Sequence, residues 1–167
     1  MLEQNYIKSL FDYKDGKLFW RISRSRRVKP GDEAGYTRKD NGRRIVNVDG
    51  KLQFSHRLIF MLHHGWAPDE IDHIDGDAAN NRIENLRPAS RAQNQWNSRL
   101  RKDNTSGVKG VVWYAPTKKW TAQIKANGKR KRLGYYNTRE DAADAIRNAQ
   151  HMFHGDYARY EELKDDD

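Results

Sequence analysis

Residues 71–97, IDHIDGDAANNRIENLRPASRAQNQWN, set Asp72 beside His73 and follow them with asparagines at 80, 81, 85 and 94. Hydrolysis of a phosphodiester needs an activated water, a cation to neutralise charge on the phosphate and the leaving oxygen, and a frame that holds both in line. An ordinary imidazole, with a pKa of about 6.5, can take the water's proton at neutral pH. Carboxylate and amide oxygens are hard donors that suit Mg²⁺ or Mn²⁺, with water and phosphate filling the other positions. Asp72, His73 and Asn94 supply that set. Taken singly, His73 also reads as a buried hydrogen-bonded histidine, and Asp72 and Asn94 as turn and cap residues.

The elements around these residues must place them together. The pattern predicts a strand over 70–74, a turn at Asp75, Gly76 and Asp77, a second strand over 84–87 ending at Pro88, and a helix beginning at Ser90. Ser90 and Gln93 form the S-x-x-Q capping box, which puts Asn94 in the first turn and beyond the cap. Asp75, Asp77, Asn80 and Asn81 read as turn formers. Adjacent residues of a regular strand point to opposite faces. Asp72 and His73 can therefore serve one site only where the strand ends or twists, or where cation and water lie on either side of the scissile phosphate.

Upstream, residues 6–54 read as short strands and turns, with hairpin signals at Asp15-Gly16 and Asp49-Gly50. Between them the loop RISRSRRVKPGDEAG carries Arg24, Arg26 and Arg27, which either solvate or contact phosphate. An apolar stripe through Leu58, Ile59, Met61 and Leu62 predicts a helix over 56–64, stopped by Gly65 and Pro68. His63 and His64 suit the helix dipole, and His56 reads as structural.

Downstream, 99–105 is a basic polar linker, and GVKGVVWY, KWTAQIKA and KRKRLGYY read as three strands, the last two joined by Asn127-Gly128. Thr138 then caps a helix with Ala142, Ala145, Ile146, Ala149, Met152 and Phe153 at helical spacing before Gly155. Alternation assigns Gly110, Val112, Trp120, Ala122, Ile124, Leu133 and Tyr135 to the face under the helix. It assigns Lys109, Trp113, Thr121, Gln123, Lys125, Arg130 and Arg132 to the open face, unless Trp113 turns inward. Arg and Lys on phosphate or guanine, and Gln on adenine, are what a groove-reading sheet uses.

The balance of 32 Lys+Arg against 23 Asp+Glu gives a formal net charge of +9, which favours a polyanionic partner. Nucleic acid leads and an anionic membrane surface comes second. No apolar run reaches the roughly 20 residues of a membrane span, and the first residues lack a signal-peptide profile, so an intracellular, cytoplasmic protein is expected. With no cysteine, disulfides, thiol nucleophiles and cysteine-held zinc are excluded.

The set Asp72-His73, Asn85 and Asn94, with GKLFW, GDEAG, VDGKLQFSHRLIF, HHGWAP, NNRIENLR and QN..N in order around it, resembles the HNH nucleases of phage and intron homing endonucleases over roughly residues 10–97. The resemblance implies a ββα-metal fold in which Asp72 and Asn94 hold one divalent cation, Mg²⁺ or Mn²⁺. His73 would be the general base, and Asn85 would orient the loop between the two strands and keep the histidine positioned. No structural zinc is implied. Residues 106–158, through SGVKGV, KWTAQI, RLGYYNT and REDAADAIRNA, resemble the AP2 DNA-binding domain, which implies major-groove binding through the sheet. Val112 and Arg132 stand where that domain has Arg and Trp.

The expectation is thus an α+β chain: an HNH domain with N-terminal strands over 1–98, a linker over 99–105, an AP2-like domain over 106–160 and an acidic tail over 161–167. It would cut or nick double-stranded DNA, as a monomer or weak dimer in a phage-infected cell. Arg24, Arg26, Arg27, Arg87, Lys109, Trp113, Gln123, Lys125, Arg130 and Arg132 would contact the duplex. A DNA-binding regulator without catalysis is the alternative.

Overall fold

The computed structural model describes residues 2–160; the acidic tail expected over 161–167 lies outside them. The chain is a mixed α+β protein of small antiparallel sheets and helices. Contacts divide it into two units, Met1–Asn94 and a second from Gln95 onward, with the division inside a helix and not in the 99–105 stretch. Among the described residues no helix is long and apolar enough to cross a membrane.

The first unit opens with α1 (Gln4–Leu10), where strands and turns were expected. Ile7 and Leu10 fall at i and i+3, so one short helical face enters the core, and Phe11, where the chain turns extended, is buried beside them. Two hairpins follow: β1 (Phe11–Lys14) with β2 (Lys17–Trp20), and β4 (Arg44–Val48) with β5 (Lys51–Phe54), the latter flanked by β3 (Tyr36–Thr37). Their tight turns carry positive φ at Asp15 and Gly16, and at Asp49 and Gly50, as two-residue hairpin loops require.

The helix α2 (Ser55–His64) ends on Gly65 at φ 79, and buries Leu58, Ile59 and Phe60 against Leu18, Trp20, Val46 and Val48. Each such aliphatic side chain contributes about 1.5–3 kcal/mol of burial. Arg57 Nη1 donates to the carbonyls of Pro68 and Asp69 at 2.8 and 3.0 Å, which fixes where the next strand begins. That strand, β6 (Glu70–His73), pairs antiparallel with β7 (Leu86–Ala89), and α3 (Arg91–Trp96) follows. The second strand starts later than expected because Ile83–Asn85 forms a 3₁₀ turn first. It also runs through Pro88, which a two-stranded sheet tolerates since both strands are edges.

In the second unit β8 (Val111–Tyr114), β9 (Lys119–Ala126) and β10 (Lys129–Tyr136) form a sheet of order β10-β9-β8, covered by α4 (Arg139–His154). Thr138 Oγ1 accepts from Asp141 N–H at 3.1 Å and caps α4. Val111, Ala122, Ile124, Ala142, Ala143 and Ile146 make the core. Asn127 and Gly128, at φ 51 and 76, close the β9–β10 turn.

The face assignment differs from alternation alone at both outer strands. Gly110, at φ 88, breaks the pattern before β8, so Val111 is buried opposite Ala122 while Val112 is exposed. A register shift between Arg132 and Gly134 adds a residue to β10, and Tyr135 comes to lie opposite Thr121 on the open face. Trp113 pairs with Trp120 and shares the helix-side parity of Val111, although its edge position leaves it 46% exposed. Its place on the open face is taken by Val112 and Tyr114.

Candidate functional site

The strand β6 ends at His73. The next residue, Ile74, donates its N–H to the carbonyl of Asn85 at 2.9 Å, and Gly76 N–H reaches back to the His73 carbonyl at 2.7 Å. Asp75 organises the loop that follows. Its carboxylate accepts from Asp77 N–H, Asn80 Nδ2 and Asn85 Nδ2 at 2.8, 2.7 and 3.0 Å. Burial pushes that carboxyl up, but these hydrogen bonds together outweigh it and hold the group below its ordinary range.

His73 is 5% exposed and lies on the face of β6 that it shares with Ile71, a core residue. Its Nε2 stands 3.0 Å from Asn81 Oδ1, and its ring meets His56 edge-on at 5.3 Å. An amide oxygen only accepts, so in this pairing Nε2 is the donor. His56, buried and stacked on Phe54, is pushed down to about 3 by burial, with the charges of His73, Arg43 and Arg57 adding to the effect. It packs as a neutral group beside His73.

Asp72 faces the other way, with Glu70 two residues before it on the same side. Cross-strand from it, Arg87 places Nε and Nη2 at 2.8 Å from Asp72 Oδ2, an ion pair whose carboxylate is almost wholly buried. The start of α3 reaches this face through Asn94. The capping box forms as the sequence reads: Gln93 N–H donates to Ser90 Oγ at 3.2 Å and Ser90 N–H to Gln93 Oε1 at 2.7 Å. It directs Asn94 to Glu70, where Asn94 Nδ2 donates to Oε2 at 2.9 Å. Since a carboxylate accepts only, the amide nitrogen is committed to Glu70 and the hard oxygen Oδ1 is the donor left for a cation.

Asp72 and Asn94 thus fit a divalent cation by donor chemistry. Among the described residues there is no group of three or more His, Cys, Asp or Glu able to hold a metal, so any such site draws on amide, water and phosphate oxygens. Asp72 and His73 stand on opposite faces at the strand's end, one of the two arrangements the sequence leaves open.

Asn85 organises the loop between the two strands and does not itself touch the imidazole. Its side chain binds the loop, with Nδ2 on Asp75 and on the Asn80 carbonyl at 2.8 Å and Oδ1 accepting from Asp75 N–H at 3.0 Å, while the imidazole bond is made by Asn81. Asn81, expected as a turn former, is 3% exposed. Nothing in the Asn80-Asn81 doublet tells the two apart. Glu70 was legible from the period-2 spacing to Asp72.

Of the expected DNA contacts, Arg26 and Arg27 are exposed, and Arg24 pairs with Asp49 at 3.0 Å and lies over the Trp20 ring. Arg87 is held by Asp72. Lys109 is engaged in the fold: its ammonium donates to the carbonyls of Trp96 and Ser98 and to Ser98 Oγ, capping the end of the preceding segment. The open face of the sheet brings together Gln123 opposite Arg132 and Lys125 opposite Arg130. Tyr114 and Tyr135 join them 5.6 Å apart, with Arg132 hydrogen-bonded to Tyr135 Oη at 2.6 Å.

Residues 53–96, which span α2, both strands of the site and α3, match the HNH endonuclease family. The chain belongs to that family. It is similar to Protein 3.8 of Escherichia phage T7, 37% identical over 90 residues that cover 54% of this chain and 74% of the relative. No solved structure matches it.

Proposed function

We propose that the chain is a metal-dependent endonuclease of the homing type that hydrolyses phosphodiester bonds in double-stranded DNA. The observation that carries this reading is the pairing at the end of β6: a buried histidine whose Nε2 is held by Asn81, next to the buried carboxylate of Asp72, on the strand whose Glu70 holds Asn94. With Nε2 donating to Asn81, Nδ1 of His73 takes the proton of the attacking water. Asn85 closes the 74–85 loop and so keeps Asn81 in reach of the ring. Asp72 and Asn94 hold one Mg²⁺ or Mn²⁺, which supplies charge neutralisation at the phosphate and the leaving oxygen. A single site of this kind acts on one strand at a time, so a monomer nicks.

The second unit is read as an AP2-like DNA-binding module, its open face meeting the duplex with Gln123, Lys125, Arg130, Arg132 and the two tyrosines. Arg26 and Arg27 add phosphate contacts that strengthen binding through counterion release. One observation favours a second reading, a DNA-binding regulator without catalysis: the Asp72 carboxylate is ion-paired to Arg87.

Supercoiled plasmid incubated with the protein and Mg²⁺ or Mn²⁺, with and without chelator, separates the two. Nicked circles that require metal and vanish in His73→Ala support the nuclease; salt-sensitive binding with no more nicking than His73→Ala sinks it.

A further inference from the structure

We infer that Arg87 makes cation binding conditional on DNA, so that the free protein holds the catalytic cation weakly and the bound duplex tightens it. The inference rests on the nuclease reading of Asp72 and Asn94. Arg87 and Asp72 are register partners on adjacent strands, and both guanidinium nitrogens converge on one carboxylate oxygen, Oδ2, at 2.8 Å. The Asp72 side chain is 3% exposed and that of Arg87 17%, so solvent screens the pair little. Of the two carboxylates on this face of β6, that of Asp72 is already neutralised, and that of Glu70 accepts the amide of Asn94.

A divalent cation entering beside Asp72 therefore meets a carboxylate whose charge is cancelled, with a guanidinium at hydrogen-bond distance that repels it. A DNA phosphate changes both conditions. It brings a negative charge of its own, and it offers Arg87 an anionic partner to which guanidinium binds well. Linkage makes the effect mutual, so the cation strengthens DNA binding by the same factor that DNA strengthens cation binding. Metal captured in the absence of substrate is disfavoured, and cleavage chemistry is assembled on the duplex.

The test measures Mn²⁺ affinity by electron paramagnetic resonance on the full chain, free and with a short duplex, in a His73→Ala background that leaves the duplex intact. Expected is a gain in Mn²⁺ affinity with duplex of about tenfold or more. Arg87→Gln in the same background should bind Mn²⁺ more tightly when free and lose most of that gain, whereas Arg87→Lys, which keeps the charge, should retain it. Circular dichroism checks that each variant is folded; if Arg87→Gln is not, the comparison with and without duplex still decides.

Equal Mn²⁺ affinity with and without duplex, in a protein whose wild type cuts DNA, overturns the inference and leaves the nuclease reading standing. No Mn²⁺ binding with duplex, together with no cleavage by wild type, overturns both. Weaker Mn²⁺ binding by free Arg87→Gln also overturns the inference, since Arg87 would then help the site and not oppose it.

Discussion

Replacing Asn81 tests whether the imidazole is held for catalysis. Asn81 and His73 are both buried, and the bond between them is 3.0 Å long. In Asn81→Ala the Nε2–H loses its acceptor, which costs about 1–3 kcal/mol of stability for an unsatisfied buried donor. The ring is also freed to exchange tautomers, and a supporting hydrogen bond of this kind is worth about 10–100-fold in activity. That corresponds to about 1.4–2.7 kcal/mol on the barrier. Because Asn81 is 3% exposed, the loss should fall on kcat with KM unchanged. Asn81→Asp keeps an acceptor, so it should recover most of the rate. Its carboxylate also favours the protonated ring, and since only the neutral ring accepts a proton, the acid limb of the rate profile should move to higher pH. Single-turnover cleavage of a labelled duplex between pH 5 and 9 measures both variants. A folded Asn81→Ala with wild-type kcat would refute the reasoning.

Three further outcomes follow from the same geometry. His56 is pushed down to about 3 by burial, so the unfolded chain binds its proton first; the stability it leaves intact above about pH 6.5 is lost as pH falls toward 3, at up to about 1.4 kcal/mol per pH unit, and urea titrations across that window should show the slope. In Glu70→Gln the new amide can donate as well as accept, so Asn94 can turn its nitrogen toward the cation, and Mn²⁺ affinity measured by calorimetry should fall about 10–100-fold. In Gly110→Ala the added Cβ would stand 2.4 Å from the Gln123 carbonyl oxygen at φ 88, so the second unit should lose more than about 1 kcal/mol in thermal unfolding.

Local rules carried the sequence reading where the chemistry is local. Two-residue turns at Asp15-Gly16, Asp49-Gly50 and Asn127-Gly128 need positive φ, and each sequence advertises residues that accept it. The Ser90–Gln93 box fixes the start of α3 within a span of four residues, and α2 stops at Gly65 as read. The failures came where one displaced residue changes every neighbour. The turn at Gly110 and the bulge beyond Arg132 reversed the parity of two strands, moving Trp113 and Tyr135 to the faces opposite those expected. Long cations were half legible for a related reason: Lys109 and Arg87 look like groups awaiting phosphate, and three-dimensional closure also gives them carbonyls and a carboxylate. Asn81 was hidden because a loop asparagine has the same sequence signature whether it shapes a turn or binds a ring.

Cleavage by His73→Ala is the most direct measurement of the nuclease reading. An end-labelled duplex from a sequence that the wild type cuts, mixed with excess protein and Mn²⁺, gives the rate of a single turnover with binding saturated. Wild type should yield one nick per site, abolished by chelator. His73→Ala should bind the same duplex with the same salt dependence yet cut it at least about 100-fold more slowly, the upper range of general-base contributions being about 10⁴. Equal single-turnover rates for the two proteins, or cutting that persists unchanged after chelation, would contradict the assignment of His73 as the base and of Asp72 with Asn94 as the cation's ligands.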